Sequence, residues 1–294
     1  MRGRLLRCAG AVLLAACAVA FGPDDEQVSR EHHFIDQVPG YDISWPQCPG
    51  PVYPPGQVAY TIVGINGGRP FTPNPCFIEQ YRWAQRFELH PAVYINMDYP
   101  RAGRDEPAKT GPYGTCQPED EWCRAYNYGY ANGADVVGRA QALGITPEFW
   151  WLDVETGNHW SNDPTYNAQA VRGTLEYFWE RELPVGIYST PRQWGIIAGP
   201  YAPGVPVWTA GAQGIEDARN RCFDPDYAFA GGQVAIAQFY DHSLDTNYRC
   251  PDGNPMSEYP YPDPYGRVGP YARSLSLSGT VLPMWFPIAM IASD

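Results

Sequence analysis

The sequence predicts an α/β chain that closes into an irregular (β/α) barrel of the TIM type, with about eight strands and five helices. From Tyr41 to about residue 250, short apolar, β-branched runs alternate with segments of helical period. Each run is nearly continuous in apolar residues, the pattern of parallel strands covered by helices. The helical period then fades between the last runs, so the final units are expected to lack full helices. An open doubly wound sheet is the alternative, and no glycine-rich phosphate turn follows the first run to support it.

The strands are read at 41–44 (YDIS), 58–65 (VAYTIVGI), 91–97 (PAVYINM), 149–155 (FWWLDVE), 185–190 (VGIYST), 206–211 (PVWTAG) and 234–241 (VAIAQFYD), with an eighth near 245–249. Between them, Asn74 followed by Pro75 marks a helix start, because asparagine caps and proline fits the first turn; that helix runs to about Leu89. A second runs from about Glu119 to Leu143 and closes on Gly144. A third follows Asp163-Pro164 to Arg181, with Val171, Leu175, Phe178 and Trp179 near helical spacing. A shorter one follows Pro191. The segment 98–118 is read as a long loop after the third strand, on the face where barrel enzymes carry their sites.

The ends and the charge narrow the function. Three arginines in residues 1–7 precede a short apolar run, so residues 1–20 read as a signal peptide, cut after Ala18-Val19-Ala20. The alternative exit is Leu14-Ala15-Ala16-Cys17, which resembles a lipobox and would make Cys17 a lipid anchor. Residues 21–38 read as a flexible lead-in, 39–250 as the barrel, and 251–294 as a Pro/Tyr-rich, then apolar tail to which no role is given. A net charge of −12 argues against nucleic acid, whose phosphates need neutralising. A monomer is expected, secreted or otherwise outside the cytoplasm. Six cysteines remain past the leader: Cys48, Cys76, Cys116, Cys123, Cys222 and Cys250. An even count in an exported chain reads as disulfides. Pairing nearest neighbours gives Cys48–Cys76, Cys116–Cys123 and Cys222–Cys250, although the sequence leaves other pairings open. No metal is expected, since no C-x-x-C pair occurs and the histidines at 32, 33, 90, 159 and 242 lack ligand spacing.

The sharpest local feature is WWLDVETGNHW, 150–160. Residues i and i+2 of a strand share a face, about 6.6–7 Å apart, so Asp153 and Glu155 point the same way as Trp151, and Leu152 and Val154 face the helices. A D-x-E pair also arises by chance, as at Asp24–Glu26 in the lead-in. An acidic pair ending a strongly apolar strand is different, because burying it is costly unless it is used or paired. Two carboxyls whose surroundings push their pKa values apart supply an acid and an anion, the requirement of glycoside cleavage. Asp42 in the first strand and Asp245 beside the last are candidates for the same pocket, because barrel closure makes the chain ends neighbours, with a turn or cap carboxylate at Asp42 and an Asx-turn at Asp245 as the competing readings. Tyr94, Tyr188, Trp208 and Tyr240 are candidate sugar platforms, with core packing as the competing reading for each, and Asn96 and Gln238 are candidate hydrogen-bonding groups.

These residues together resemble glycoside hydrolase family 25, the lysozymes of N-acetylmuramidase type: GYDIS at 40–44, LDVE at 152–155, the Gln238-Phe239-Tyr240 strand and Asp245-x-Asn247. The motifs GYDISWPQC, FTPNPC and LDVE set the chain closest to an exported actinobacterial branch. The resemblance covers about residues 40–250. It implies Glu155 as general acid, Asp153 as stabiliser of the positive centre or orienter of the acetamido group, and Asp42 and Asp245 as holders of charge and geometry. It further implies a glycan-lined cleft with Trp208 and Tyr188, peptidoglycan cut after N-acetylmuramic acid, and no cofactor. The sequence departs from the family at VGINGGRPF, where an acid usually precedes the glycine, in its short 238–245 segment, in the 98–118 insertion and in its cysteines. A second function class stays open, a non-catalytic carbohydrate-binding or cell-wall protein on the same barrel.

Overall fold

The computed structural model describes residues 38–48, 53–101, 105–241 and 244–251. The leader at 1–20 with Cys17, almost all of the lead-in and almost all of the tail lie outside the described residues. Eight strands close a barrel: β1 (Gly40–Ile43), β2 (Thr61–Gly64), β3 (Ala92–Asn96), β4 (Trp150–Asp153), β5 (Val185–Ser189), β6 (Val205–Ala212), β7 (Gly231–Asp241) and β8 (Leu244–Arg249). Neighbours from β1 through β7 are parallel, and β8 runs antiparallel to both β7 and β1. The β7–β8 connection is too short for a crossover, so those strands can only form a hairpin.

Six α-helices occur among the described residues: α1 (Phe77–Ala84), α2 (Glu106–Lys109), α3 (Glu121–Ala142), α4 (Pro164–Trp179), α5 (Pro191–Ile197) and α6 (Ile215–Arg221). The starts of α3, α4 and α5 are fixed by side chains: Asp120 accepts from the Cys123 N–H, Asp163 from that of Thr165 and Thr190 from that of Gln193. Two helix expectations need correction. The first helix begins at Phe77 rather than Pro75, because Asn74 Oδ1 accepts from the Cys76 N–H at 3.0 Å and turns the chain before the helix starts. The β6–β7 connection does carry a helix. Of its apolar residues α6 buries Ala218 and partly Ile215 against Ala212, Ala237 and Phe239, too few positions to show a period. It is held by Glu216 and Asp217 in its first turn, which pair with Arg219 and Arg221 in its last. The 98–118 segment likewise has structure: α2, a two-residue hairpin and the Cys116–Cys123 disulfide, with Tyr113 stacked on Tyr126 at 4.0 Å.

Two apolar layers position the site. Outside the barrel, Val63, Ile95, Leu152, Ile187 and Val207 pack against Phe77, Val136, Leu175, Phe178 and Trp194 of the helices. Inside it, Ile62, Trp151, Trp208 and Ile236 pack with Tyr94 and Tyr188. Strand β4 therefore alternates as its sequence requires, Leu152 outward and Trp151 inward. Helices α3 and α4 approach so closely that a methyl at Gly129 would overlap the Ala170 carbonyl oxygen, and one at Gly173 that of Tyr126. All three nearest-neighbour disulfides are formed, Cys48–Cys76, Cys116–Cys123 and Cys222–Cys250.

Candidate active site

The four acids converge on the end of the barrel where the parallel strands finish. Asp42 lies in β1, Asp153 ends β4, Glu155 follows it by two residues, and Asp245 opens β8. Register brings the outer two together: Tyr41 pairs with Thr246, so Asp42 and Asp245 follow on adjacent strands, near enough for the Asp245 charge to act on Asp42. Asp245 also lies directly across from Tyr240.

Neutral donors surround these carboxyls. Asp42 Oδ2 accepts from Asn247 Nδ2 at 2.7 Å and from Gln238 Nε2 at 2.9 Å. Gln238 is itself held by the Tyr188 hydroxyl, which donates to its Oε1 at 2.8 Å. Asp153 Oδ2 accepts from Asn96 Nδ2, while the buried Asp153 Oδ1 and Asn96 Oδ1 have no partner among the described residues. Glu155 Oε1 accepts from Gln193 Nε2 at 3.3 Å. The Glu155 backbone is pinned by the Trp160 indole, which donates to its carbonyl at 2.7 Å. Gln193 is fixed in turn by Thr156, whose N–H and hydroxyl both donate to its Oε1.

Burial and mutual repulsion keep protons on this cluster. Burial, then the charge of Asp245, pushes Asp42 up to about 8 against the pull of its amide donors. Burial, then Glu155 and Asp42, holds Asp153 well above the usual aspartate range. Glu155 is raised by burial and by Asp245, opposed by Gln193, and Asp245 is raised by burial. Among the described residues no Arg or Lys pairs with any of the four. The chemistry on offer is a protonated acid beside a carboxyl that can become an anion.

The aromatic candidates divide. Tyr240 is 71% exposed beside Asp245, an open ring at the rim. Tyr94 and Tyr188 are half-buried and serve the interior, Tyr188 through Gln238. Trp208 is only 2% exposed, covered by Tyr94, Trp151 and Tyr188, and its Nε1 donates to Asn247 Oδ1 at 2.8 Å. Its place is beneath the acids, holding Asn247, rather than an open face for a sugar. The fold brings three more residues to the site, to none of which the sequence assigned a role. Asn247 closes the motif Asp245-x-Asn247. Gln193 sits in the first turn of a helix that Pro191 announces. The Asn66 side chain accepts from the Asn96 N–H at 3.0 Å and donates to the Asn96 carbonyl at 3.2 Å, and so fixes the residue that holds Asp153. Asn247 and Asn66 had sequence signals, Asn247 in the motif Asp245-x-Asn247 and Asn66 in the stretch VGINGGRPF, and Gln193 had none.

Residues 122–239 match the family model described as Lysozyme-like protein 1. That span holds Asp153, Glu155, Tyr188, Trp208 and Gln238, and leaves out Asp42 and Asp245. A probable GH family 25 lysozyme 4 of Dictyostelium discoideum is 29% identical over 112 residues, 37% of this chain and 48% of the relative. The match thus spans about half the length of that relative. Among solved structures, the spore cortex lytic enzyme SleM of Clostridium perfringens aligns at 15% identity with a TM-score of 0.45, covering 72% of this chain and 67% of that one. A family GH25 lysozyme from Aspergillus fumigatus aligns at 15% identity with a TM-score of 0.42, covering 71% of this chain and 92% of that one. By its family-model and sequence matches, the chain carries a domain similar to the lysozymes of glycoside hydrolase family 25.

Proposed function

We propose that the protein is an extracytoplasmic muramidase that cleaves the β-1,4 bond after N-acetylmuramic acid in peptidoglycan. The observation that carries this reading is the cluster of four carboxyls at one end of the barrel, all pushed upward and none paired with a cation among the described residues. Three disulfides in one chain support placement outside the cytoplasm.

In this mechanism Glu155 is the general acid. It stands just past β4, partly open to the rim, with its backbone pinned by Trp160 and its carboxyl by Gln193. Burial raises its pKa, so it holds its proton to a higher pH than an ordinary glutamate does. As the C1–O bond breaks, the leaving oxygen takes that proton and positive charge builds on the sugar ring. Asp153, aimed by Asn96 and with Oδ1 unpartnered, accepts from the substrate's acetamido N–H or faces the positive centre. Asp42, held by Asn247 and Gln238, and Asp245 set the charge around them. The Glu155 carboxylate then takes a proton from the incoming water, which restores the acid.

The test is digestion of purified peptidoglycan by the disulfide-bonded protein beside Glu155→Gln, with mass spectrometry of the products. New reducing-end muramic acid, lost in the variant, is the expected result. A folded protein that pulls down glycan and leaves it uncut would overturn the enzyme reading in favour of a carbohydrate-binding module. One that neither cuts nor binds would remove peptidoglycan as the target.

A further inference from the structure

Trp45 is an exposed aromatic next to the acid cluster that the mechanism leaves unused. It follows Asp42 by three residues and opens the short 3-10 turn Trp45–Gln47 that leads the chain away from β1. Its side chain is 46% exposed, whereas the tryptophans inside the barrel, Trp151 and Trp208, are buried. Leaving so large an apolar ring in water is unfavourable, and a ring on a loose turn would fold back onto the protein.

This turn is not loose. The Ser44 N–H donates to Gln47 Oε1 at 2.8 Å, and the Gln47 N–H returns to the Ser44 carbonyl at 3.1 Å. The same carbonyl accepts from Gln80 Nε2 at 2.6 Å, which ties the turn to α1. The Cys48 N–H donates to the Trp45 carbonyl at 3.0 Å, and Cys48 is bonded to Cys76. The indole lies against Gly68, which has φ +83°; a Cβ there would stand 2.8 Å from Trp45 Nε1 and 3.2 Å from Cε2. Only bare backbone leaves room for the ring. Gly68 belongs to the loop that starts at Asn66, so the surface supporting Trp45 is continuous with the residue that fixes Asn96 and, through it, Asp153.

A rigid indole, backed on one side and open over nearly half its surface, presents a flat apolar face with little ordering left to lose on binding. We propose that Trp45 is a stacking platform for one pyranose ring of the substrate glycan, at the β1–β2 end of the site. The proposal rests on the muramidase reading and adds a binding subsite to it. The platform holds a ring away from the bond being cut, so it contributes equally to ground and transition states. It therefore acts on KM and leaves kcat close to that of the parent.

The test uses the full disulfide-bonded chain, with Trp45→Ala and Trp45→Phe, on soluble fragments of uncrosslinked peptidoglycan glycan. Calorimetric binding of the same fragments to Glu155→Gln and to Glu155→Gln/Trp45→Ala runs beside it. Trp45→Ala is expected to raise KM and weaken binding about tenfold, with kcat within twofold, and Trp45→Phe to recover most of the loss. KM and affinity within twofold of the parent would overturn the platform and leave the muramidase reading standing. So would a fall in kcat and melting temperature without a change in KM, which would make Trp45 a structural residue. A parent that neither cuts nor binds the fragments would overturn both together.

Discussion

Raising the pH from 5 to 7 should destabilise this protein, and Asp42→Asn should remove part of that loss. The folded Asp42 carboxyl titrates near 8, against an ordinary aspartate at 3.8. Between those values the folded chain keeps a proton that the unfolded chain has released. Stability is therefore fully present below the unfolded pKa and is lost as pH rises toward the folded one. Each retained proton costs on the order of 1 kcal/mol per pH unit, so Asp42 alone accounts for a loss on the order of a few kcal/mol between pH 5 and 7. Asp153, Glu155 and Asp245 are raised as well and steepen the fall, and their protons belong to the cluster rather than to single residues. His159 works the other way, because its lowered pKa makes stability rise as pH climbs toward the ordinary histidine value of 6.5 and adds nothing further above it. Comparing parent with Asp42→Asn cancels that contribution.

The assay is urea unfolding of both proteins from pH 4.5 to 8. Asn keeps an oxygen for Asn247 and Gln238 and has no proton to hold. The variant should show a slope shallower by about one proton, a relative stability that improves toward neutral pH, and impaired cleavage throughout. It also relieves Asp153, which feels the Asp42 charge, so the change in slope can exceed one proton. A parent whose stability is flat or rises from pH 5 to 7, or a variant with the parent's slope, would refute the reasoning.

Cys48→Ser/Cys76→Ser opens a link with a sequence separation of 28 and should cost about 3.6 kcal/mol by loop-closure entropy, read as a lower urea midpoint. An unchanged midpoint would show that the link does not constrain the unfolded chain. Two glycines on neighbouring helices should respond in opposite senses to the same change. Gly173→Ala drives a methyl into the Tyr126 carbonyl and should destabilise by roughly 1–3 kcal/mol or more. Gly138→Ala, on α3 with open space around it, should stabilise by roughly 0.5–1 kcal/mol through backbone entropy. Thermal melts of the two that shift in the same direction would contradict the packing described for α3 and α4.

The features legible in the sequence are those set by short-range periodicity. The alternation of Trp151, Leu152 and Asp153 sends the ring and the acid inward because a strand has a period of two, whatever surrounds it. The shortness of 238–245 dictates an antiparallel hairpin in the same way. Long-range register is different. Whether Trp208 offers a face or fills space depends on Tyr94, Trp151 and Tyr188, which come from three other strands. The roles of Asn247 and Gln193 exist only once β8 lies beside β1 and α5 begins over β4. α6 was hidden because charge pairs and one alanine hold it, and neither leaves a hydrophobic period. Trp45 is legible, since a tryptophan between Ser44 and Pro46 in a turn has few ways to be buried.

The common feature of the site is that amides, not cations, hold the acids: Asn96 on Asp153, Asn247 and Gln238 on Asp42, Gln193 on Glu155. An amide orients a carboxyl and satisfies an oxygen while adding no charge, so burial and repulsion still keep the proton in place. A cation in the same position would orient the carboxyl and strip the proton. Gln193 is the place to see this, because it is only half-buried and its side chain reaches Glu155 from the first turn of α5. Gln193→Arg sets a fixed positive charge beside the general acid, and an opposite charge at that range lowers a carboxyl by about 1–3 pKa units. The alkaline limb of the kcat/KM profile, which reports the free enzyme's acid, should move down by about one unit or more. The rate at pH 7 should then fall about tenfold per unit moved, with less loss on the acidic side. Gln193→Glu should move the same limb upward by like-charge repulsion. If both variants lose activity equally at every pH, Gln193 only holds geometry, and the neutrality of the donors around Glu155 has no part in catalysis.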